Sequence, residues 1–406
     1  MSEEKKSKRL VSLDTYRGLV LVLLILESAN YGWQHVLVEE HKNWLTSFIE
    51  LHASHIAWVG CSFWDLIQPS FMFMVGVSMA YSYGKRQKLG DSFGQMFRHA
   101  IFRSIVLILL GVFLRTSYMS QTNWTFEDVI TQMGLGYIPL FFLWNRSVKS
   151  QFIAIVGILV GYWLLFALIP VSQPVGYEWE DPTPHLFTGF FQHWNINANP
   201  AHYFDTWFLN LFPRETIEYT LASGETVETD KFLFHPEGYN TLNFIPSLAI
   251  MIMGLMAGEL LRSKSSEGQK VRKLAFYGVV GVAVGGILHF AGVCPLIKKT
   301  WTSSFTLYSG GWCLLILLAL YYIIDINDKK AWTFPFVVVG MNSIAMYVML
   351  WLMSGWVNET LQKHLGEGYA GFFGPGLEPL MQNLANGVVL WLICFWMYKR
   401  KIFLRI

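Results

Sequence analysis

Charged residues are scarce in this chain. Lys, Arg, Asp and Glu make up 14% of its 406 residues, whereas a soluble domain carries about 25%. So few charges cannot cover a water-facing surface, and a soluble protein with a buried core is therefore the weaker interpretation. The net charge of +2 is also too small to favour a nucleic-acid partner.

Cysteine is also rare, and the usual catalytic motifs are missing. Cys61, Cys294, Cys313 and Cys394 lie in or beside apolar segments without metal-ligand spacing, so we expect neither a disulfide framework nor a metal site. The sequence has no zinc motif, phosphate-binding loop or nucleophile elbow, which excludes the common soluble-enzyme mechanisms. An enzyme built on this chain therefore needs a donor supplied by another molecule.

Long apolar runs recur along the whole sequence. Runs of about 18 residues or more can cross ~30 Å of hydrocarbon as helices. No repeat or linker divides the chain, so we predict a single domain over residues 1–406, an all-α integral membrane bundle of about ten transmembrane helices. A long extracytoplasmic loop insertion is predicted at 171–240. The predicted helices lie near residues 12–32, 63–83, 100–117, 127–144, 151–172, 241–261, 274–294, 303–324, 334–354 and 380–398.

The first apolar run follows a basic stretch, Lys5 to Arg9, in the manner of a signal peptide. Asp14 and Arg17 inside this run are three residues apart on one helix face, however, and a cleaved signal has no use for such a pair. The run is also long enough to span a bilayer. We therefore expect it to be retained as a membrane helix.

Successive loops alternate between high and low Lys and Arg content, and this alternation predicts the orientation of the chain in the membrane. About 23 of the 30 basic residues fall on the side that holds both termini. Both termini are therefore predicted to be cytoplasmic, in a multi-pass protein of a bacterial inner membrane. The same assignment places ten of the eleven histidines, all but His99, on or near the outer side. Either a site is built there, or histidine only avoids loops that lysine and arginine fill.

Two histidines precede a helix that begins with a carboxylate. His52 and His55 are followed by Trp58, and Asp65 comes ten residues after His55. A carboxylate in the first turns of a spanning helix is costly in lipid, so Asp65 should face protein or a wet cavity. An Asp beside a His fixes its tautomer and favours its charged form, which prepares a general base. The alternative is a solvated histidine, with Asp65 offsetting the helix dipole.

The first helix carries four further polar residues. Asp14 and Arg17 can form an ion pair that locks the helix end, and Arg17 would also suit a phosphate that arrives from the cytoplasm. Glu27 lies among leucines and needs a partner, so it is a functional candidate, although a structural hydrogen bond to another helix is a close rival. Asn30 follows in the outer part of the run.

Later helices contain isolated amides at places where lipid-facing residues would be apolar. The polar positions are Gln68, Gln132, Asn243, Asn342 and Ser343. Such side chains often only tie helices together, which contributes about 1 kcal/mol or less each. Several of them at similar depth indicate instead a shared internal cavity.

The long outer segment is rich in aromatic and amide side chains, His193 and Trp194 among them. Aromatic faces beside amides and carboxylates suit the apolar faces and hydroxyls of a sugar. An amphipathic loop at the membrane interface would have much the same composition. Both interpretations stay open from the residues alone.

Five motifs, in this order, resemble the heparan-alpha-glucosaminide N-acetyltransferase family, whose bacterial branch is often labelled only as a domain of unknown function. The resemblance covers nearly the whole chain. The motifs are Arg9 to Gly18 with Asp14 and Arg17, His55 to Pro69 with Trp58, Gly60 and Asp65, His235-Pro-Glu-Gly238, Trp301 to Gly311, and Gly340-Met-Asn342-Ser343.

The resemblance implies transfer of an acetyl group from cytoplasmic acetyl-coenzyme A to an amino sugar on the far side of the membrane. The family's active histidine corresponds to His55 by its spacing to Trp58, Gly60 and Asp65, with His52 the lesser candidate. The chain departs from the family at Gln132-Met133, where the family commonly has Gln-Arg, and in the outer loop. We therefore transfer the reaction type more readily than the acceptor.

These arguments together assign three groups of site residues. The predicted catalytic residues are His55, Asp65 and Glu27. The residues predicted to bind the acetyl-coenzyme A donor are Asp14, Arg17, Gln68, Gln132, Asn342 and Ser343. The residues predicted to bind the acceptor are Asn30, His52, Trp58, His193, Trp194 and Asn243.

Two other functions compete with N-acetylation. One is an O-acetyltransferase that modifies a cell-envelope glycan with the same donor. The other is an amino-sugar permease without chemistry, although neither an inverted repeat nor a broken pair of helices is evident in the sequence. The expected partners are the lipid bilayer and a sugar or glycan acceptor, and a homodimer is left open.

Overall fold

The computed structural model describes residues 10–27, 42–170, 187–221, 224–374 and 376–404, and these are almost entirely helical. One short hairpin pairs antiparallel strands β1 (Ile217–Thr220) and β2 (Thr226–Thr229). The helices are α1 (Val11–Glu27), α2 (Trp44–His52), α3 (Ile67–Lys88), α4 (Phe93–Thr116), α5 (Val129–Leu143), α6 (Val148–Leu168), α7 (Pro200–Phe208), α8 (Phe244–Arg262), α9 (Glu267–Phe290), α10 (Ser303–Leu320), α11 (Phe334–Gly340), α12 (Ser343–Leu365) and α13 (Glu378–Lys399).

Six helices of the described chain are long and apolar enough to cross a membrane. They are α4, α6, α8 with the turn before it, α9, α10 with the turn after it, and α13. The bent pair α11 and α12 makes a seventh if it counts as one span. The class of an all-α membrane protein is thus confirmed, while the count of about ten spans stays a prediction.

Helix α3 is the most enclosed part of the bundle. Met72, Phe73 and Met74 lie within a long buried stretch of this helix, as do its polar residues Gln68 and Ser70. A helix that faces protein on all sides needs no lipid-compatible surface, so it can carry polar groups that a peripheral helix cannot. Helix α3 therefore provides the polar interior of the molecule.

Close packing against α3 depends on glycine. A Cβ atom added at Gly76 would lie 1.9 Å from the carbonyl oxygen of Met251 on α8. One added at Gly254 would lie 2.0 Å from the carbonyl oxygen of Phe73 on α3. Only glycine permits this approach of two helix backbones, as in other membrane bundles.

Helices α4, α6 and α9 form the periphery. They leave large apolar side chains exposed along their length, for example Phe102, Val160 and Ile287. Apolar surface of this extent is suited to contact with lipid tails rather than with water.

Several predicted helix boundaries differ from the structure. Helices α4 and α9 begin earlier than predicted, at Phe93 instead of residue 100 and at Glu267 instead of residue 274. The helix predicted at 63–83 begins at Ile67, because Trp64–Leu66 forms a 3₁₀ turn before it. The single helix predicted at 334–354 is two helices, α11 and α12, with a 67° bend between them. The chain turns there because Asn342 leaves the helical conformation and caps α12 with its carbonyl oxygen, which accepts from Met346 N. The broken pair that the sequence did not reveal is therefore present.

Residues 187–221 and 224–240 fold onto one end of the bundle and are called the cap here. The cap contains a 3₁₀ turn (Gly189–Trp194), α7 and the hairpin. A separate hydrophobic cluster fastens it to α6 and to the loop before α10, through Trp194, Phe166 and Ile297. The predicted loop insertion is thus a packed substructure in its described residues, although its side of the membrane stays a prediction.

Candidate active site

His55 and Asp65 form a direct pair, as their spacing indicated. His55 Nδ1 lies 2.8 Å from Asp65 Oδ1. The Asp65 side chain is fully buried, whereas that of His55 is 17% exposed. The second carboxylate oxygen, Oδ2, accepts hydrogen bonds from Ser62 N at 2.9 Å and Ser62 Oγ at 3.1 Å. The carboxylate is therefore held in place from one side while the imidazole meets it on the other.

The loop that carries His55 is anchored to a distant segment of the chain. Gly60 N donates to Leu296 O at 2.8 Å, and Val59 forms an isolated bridge with Ile297. Gly60 has a φ of +131°, which a residue with a side chain rarely adopts. Ser62 Oγ lies 2.6 Å from Ser54 O as well, so its single hydrogen can be donated either to this carbonyl or to Asp65 Oδ2, and both contacts close the loop around Asp65.

Lys298 joins the pair and was not predicted. Its Nζ lies 3.3 Å from Asp65 Oδ1, 3.0 Å from His55 Nδ1 and 3.5 Å from His55 Nε2. Lys298 is 6% exposed, so the ammonium group is buried together with the carboxylate. The available signal was a pair of lysines, Lys298 and Lys299, on the side of the membrane that has few basic residues.

A strained turn positions Lys298. Trp301 N donates to Lys298 O at 2.8 Å, and Thr302 N donates to Ile297 O at 3.1 Å. Trp301 closes this turn with a φ of +47°, a costly conformation for a bulky aromatic residue, and its side chain is fully buried. The surrounding core therefore holds a backbone that the local sequence would not choose by itself.

The contacts determine the protonation of the pair. Burial raises the pKa of Asp65, but the nearby Lys298 and His55 lower it by more, so its pKa lies well below the usual range. An ionised carboxylate only accepts hydrogen bonds, and two acceptors 2.8 Å apart would repel each other. His55 Nδ1 therefore carries the hydrogen that Asp65 accepts, which orients the imidazole with Nε2 away from Asp65 Oδ1.

Four of the predicted donor-binding residues lie at the opposite end of α1 and α3. Arg17 donates to Asp14 Oδ1 at 3.2 Å and also contacts Ser78, so the predicted ion pair is confirmed. Asn342 Nδ2 donates to Ile402 O at 3.1 Å, and Asn342 Oδ1 accepts from Leu404 N, also at 3.1 Å. Ser343 is the first residue of α12, beside Asn342. Their role in donor binding stays a prediction.

The other two predicted donor-binding residues lie near His55. Gln68 Nε2 donates to Gln132 Oε1 at 3.4 Å, and Gln132 Nε2 reaches Asn240 O at 3.5 Å. Gln68 is three residues after Asp65, on the same side of the turn that leads into α3. These amides link α3, α5 and the end of the cap.

Further polar contacts lie between the two ends. Tyr16 Oη and Ser70 Oγ are 2.8 Å apart, and Cys313 Sγ lies 3.7 Å from Ser70 Oγ. Together with Gln68 and Ser78, these groups give α3 polar side chains at intervals along its length. Asp65 and Ser78 are thirteen residues apart, about 20 Å along a helix axis.

The predicted acceptor-binding residues that the structure describes mostly hold the cap. Trp58 Nε1 donates to Trp194 O at 3.1 Å, and both indoles are buried in the cap's hydrophobic cluster. His52 Nδ1 accepts from Phe63 N at 3.2 Å, and His193 Nδ1 donates to Ile169 O at 2.9 Å. The acceptor-binding role of these residues stays a prediction.

Asn243 contacts the residue after Lys298, because its Nδ2 donates to Lys299 O at 2.8 Å. Its Oδ1 is buried and has no hydrogen-bond partner in the described part of the chain. Asn30 lies outside the described residues. Glu27 ends α1, and its side chain also lies outside what the structure describes.

No cluster of three or more His, Cys, Asp or Glu side chains that could hold a metal ion occurs within the described ranges. The site is therefore built from an imidazole, a carboxylate and an ammonium group. A buried imidazole oriented by a carboxylate is typical of proteins that catalyse proton transfer or group transfer.

Comparison with known proteins agrees with the motifs. No family model matches the chain. The chain is 26% identical to human heparan-alpha-glucosaminide N-acetyltransferase over 438 aligned positions, which cover 98% of this chain and 60% of that protein. It is also 26% identical to the mouse protein of the same name, over all of this chain and 62% of the mouse protein. The chain thus spans about three fifths of the length of the curated relatives it matches, and the resemblance extends along nearly the whole chain.

Proposed function

We propose that this protein is a membrane-embedded acetyltransferase that moves an acetyl group from acetyl-coenzyme A to the amine of a glucosamine-type sugar. The observation that supports this most directly is the His55–Asp65–Lys298 cluster, in which a buried carboxylate orients the imidazole of His55. The names of the two similar proteins support the proposed reaction type and the proposed class of acceptor.

His55 can act in either of two ways. As a general base, Nε2 accepts a proton from the sugar amine as the nitrogen bonds to the thioester carbonyl carbon. The carbon–sulfur bond breaks, and His55 returns that proton to the departing sulfur. As a nucleophile, Nε2 itself bonds to the carbonyl carbon and displaces the sulfur, and the amine then attacks the acetylated imidazole. Both routes require the unprotonated Nε2 that Asp65 orients.

We place the donor entrance at the Arg17 end of the bundle, which the distribution of basic residues assigns to the cytoplasm. The Arg17 side chain is 22% exposed, and a guanidinium group binds phosphate well. The polar groups along α3 then offer hydrogen bonds to a flexible amide-containing arm on its way to His55. Asp14, Asn342, Ser343 and Gln132 complete the proposed donor site.

The acceptor is proposed to approach His55 from the side of the cap. His55 is 17% exposed, so it can be reached without unfolding the site. Glu27, which the structure does not describe beyond its backbone, is proposed to assist there as a second carboxylate. The proposed polar contacts to the sugar are Asn30, His52, His193 and Asn243. Trp58 and Trp194 are the proposed aromatic residues of the acceptor site.

The test is acetyl transfer by the purified protein in lipid vesicles. Acetyl-coenzyme A labelled in the acetyl group and glucosamine are supplied, and the product is analysed by mass and by treatment with mild base. A base-stable N-acetyl product supports the proposal. A base-labile product would instead support O-acetylation, and absence of any transfer would refute an acetyltransferase.

A permease is the second candidate, because of the 67° break between α11 and α12. Broken helices often surround transport sites at the membrane midplane. Uptake of labelled glucosamine into vesicles that lack acetyl-coenzyme A would favour this function over catalysis.

A further inference from the structure

The cap forms one wall of a pocket whose lining residues are all outside the proposed acetyl-transfer site. This open pocket of about 250 Å³ lies between the loop after α4 and the cap segment that leads into β1. Its lining includes Asn123 and Trp124 from the loop, and Arg214 and Glu215 from the cap segment. The volume is below the ~300–1,000 Å³ of pockets for drug-sized ligands, so the pocket suits a single small ring.

Contacts between the two walls fix the shape of the pocket. Arg214 Nη1 donates to Trp124 O at 3.3 Å. Ser120 Oγ of the loop donates to the Glu215 carboxylate of the cap segment. The indole of Trp124 stacks on Phe212, with ring centroids 5.2 Å apart and ring planes at 22°. The pocket is therefore built before a ligand arrives, which reduces the ordering cost of binding.

A hydrophobic cluster joins the same two walls. Its buried members include Phe126 of the loop and Phe232 of the cap, and Trp124 packs against them. The guanidinium carbon of Arg214 lies 5.4 Å from the centre of the Phe232 ring. The indole and the guanidinium group are therefore anchored on packed side chains, although both residues are only half-buried and can meet a ligand.

The lining combines the groups that bind sugars. The indole of Trp124 offers an apolar surface for the face of a sugar ring. The Glu215 carboxylate can accept hydrogen bonds from sugar hydroxyls. The guanidinium group of Arg214 and the amide of Asn123 can donate to hydroxyl and ring oxygens. This mixture of one aromatic ring, one amide and two charged groups matches a polyhydroxylated ring better than an apolar ligand.

The charges of the lining favour a neutral ligand. A phosphate or sulfate held by Arg214 would also meet the carboxylate of Glu215, and a cation held by Glu215 would meet the guanidinium group. Burial raises the pKa of Asp205 on α7 to about 7, and Arg214 partly opposes this effect. The positive charge of Arg214 therefore acts on a carboxyl group inside the cap as well as on the pocket.

The pocket lies at the same end of the bundle as the candidate active site. The loop that lines it continues to Glu127, whose carboxylate is 3.8 Å from His235 Nε2 in the cap. Two residues further, the Glu237 carboxylate is 3.6 Å from the ammonium of Lys299, which follows Lys298. Contacts thus run along the edge of the cap from the pocket to the active site, so an acceptor of several rings has a continuous surface to lie on.

We propose that this pocket is a distal subsite that binds one neutral sugar residue of an oligosaccharide acceptor, while the amine-bearing residue lies at His55. Trp124 supplies the surface for the ring, and Glu215, Arg214 and Asn123 supply the hydrogen bonds. The inference rests on the proposed function for the position of the amine. Two linked contacts strengthen each other, so a longer acceptor binds more tightly than glucosamine alone.

The test measures binding in the absence of acetyl-coenzyme A. The probe is a trisaccharide of partly deacetylated chitin, with glucosamine at the non-reducing end followed by two N-acetylglucosamine residues. Isothermal titration calorimetry with the full-length protein in lipid nanodiscs compares its Kd with that of glucosamine. We expect the trisaccharide to bind about 10-fold more tightly or better, and Trp124→Ala to remove most of this preference.

Two further variants sharpen the test. Trp207→Ala is the matched control, because Trp207 is an exposed tryptophan of the same cap that does not line the pocket, and it should keep the preference. Glu215→Gln changes only a half-buried carboxylate, so it reports on the pocket even if Trp124→Ala fails to fold, and it should weaken the trisaccharide several-fold while leaving glucosamine unaffected.

Three outcomes would overturn the proposal. They are equal affinities of the wild-type protein for the two sugars, a full preference in folded Trp124→Ala or Glu215→Gln, and an equal loss in Trp207→Ala. The acetyl-transfer assay keeps this inference separate from the proposed function. Tight trisaccharide binding that depends on Trp124, in a protein that transfers no acetyl group, would refute the acetyltransferase and support the subsite. Acetyl transfer to glucosamine without any trisaccharide preference would do the reverse.

Discussion

Two histidine–carboxylate pairs in the described part of the structure differ in which ring nitrogen faces the carboxylate. In the first, His55 Nδ1 donates to Asp65 at 2.8 Å. In the second, His235 Nδ1 accepts hydrogen bonds from Glu237 N at 3.0 Å and Tyr239 N at 3.4 Å. The hydrogen of His235 is therefore on Nε2, which lies 3.8 Å from a Glu127 carboxylate oxygen.

The comparison teaches that a nearby carboxylate does not by itself make a histidine a base. Burial lowers the pKa of His235 despite the opposing effect of Glu127 and Glu237, so this imidazole is neutral. Its lone pair, however, is already used by two backbone amides of its own loop. His235 is therefore an anchor of the cap, whereas His55 uses Nδ1 to bind its carboxylate and turns Nε2 away from that carboxylate.

Removing the imidazole of His55 should reduce activity far more than removing that of His235. His55→Ala is expected to reduce acetyl transfer by about 10²–10⁴-fold, because the general base or nucleophile is lost. The initial rate of transfer from labelled acetyl-coenzyme A measures this, with thermal unfolding to show that the variant is folded. A rate within a few-fold of the wild-type value would remove His55 from the mechanism.

Replacing the carboxylate beside His55 should likewise reduce activity more than replacing the carboxylate beside His235. Asp65→Asn is expected to reduce transfer by about 10²-fold or more, because an amide can present a donor to His55 Nδ1 and so favour the wrong tautomer. Glu127→Gln should retain most of the activity, because Glu127 faces His235 and not the proposed catalytic histidine. Equal losses in the two variants would show that the distinction between the pairs is mistaken.

His235 is expected to matter for stability rather than for chemistry. His235→Ala removes the acceptor of Glu237 N, which is exposed, and of Tyr239 N, which is half-buried, so we expect a loss of about 0.5–1.5 kcal/mol. His235→Asn is the matched control, because an Asn side-chain oxygen can accept from the amide two residues later in an Asx turn. Chemical unfolding followed by tryptophan fluorescence measures both variants. Equal destabilisation by alanine and asparagine would argue against the anchoring role.

The smallest expected effect is on the pH dependence of stability, and it involves a third histidine, His202, which is buried in the cap. Burial lowers the pKa of His202 to about 4 and raises that of Asp205 to about 7, and both residues lie on α7. Between pH 4 and 6.5 the unfolded chain binds more protons at His202, so that residue makes stability rise with pH. At Asp205 the folded chain binds more protons over the same range, so stability falls as pH rises.

These two opposed dependences should nearly cancel in the wild-type protein. His202→Gln is expected to leave a melting temperature that falls from pH 4.5 to 6.5, and Asp205→Asn one that rises. Thermal unfolding at the two pH values measures the slope. Parallel slopes in both variants would show that the cap titrates through other groups.

Much of the fold follows from local sequence. Apolar runs predicted most helices to within several residues, since a helix that contacts lipid must be apolar over its own length. The break at Asn342 was missed because its cause is a contact with the C-terminal tail, at Ile402 and Leu404, sixty residues away. The enclosed position of α3 could be suspected from its polar residues, but its packing against Gly254 could not.

The sequence by itself determined the membrane class and the helical runs, and it indicated the pairing of His55 with Asp65, because all of these depend on residues close together in the chain. Only the tertiary structure brought Lys298 to His55, across 243 positions, and placed Trp58 and Trp194 in one hydrophobic cluster. Composition and spacing report the conformation of a segment. The charge state of a buried imidazole depends on every group packed around it, and those groups come from segments that meet only in the folded bundle.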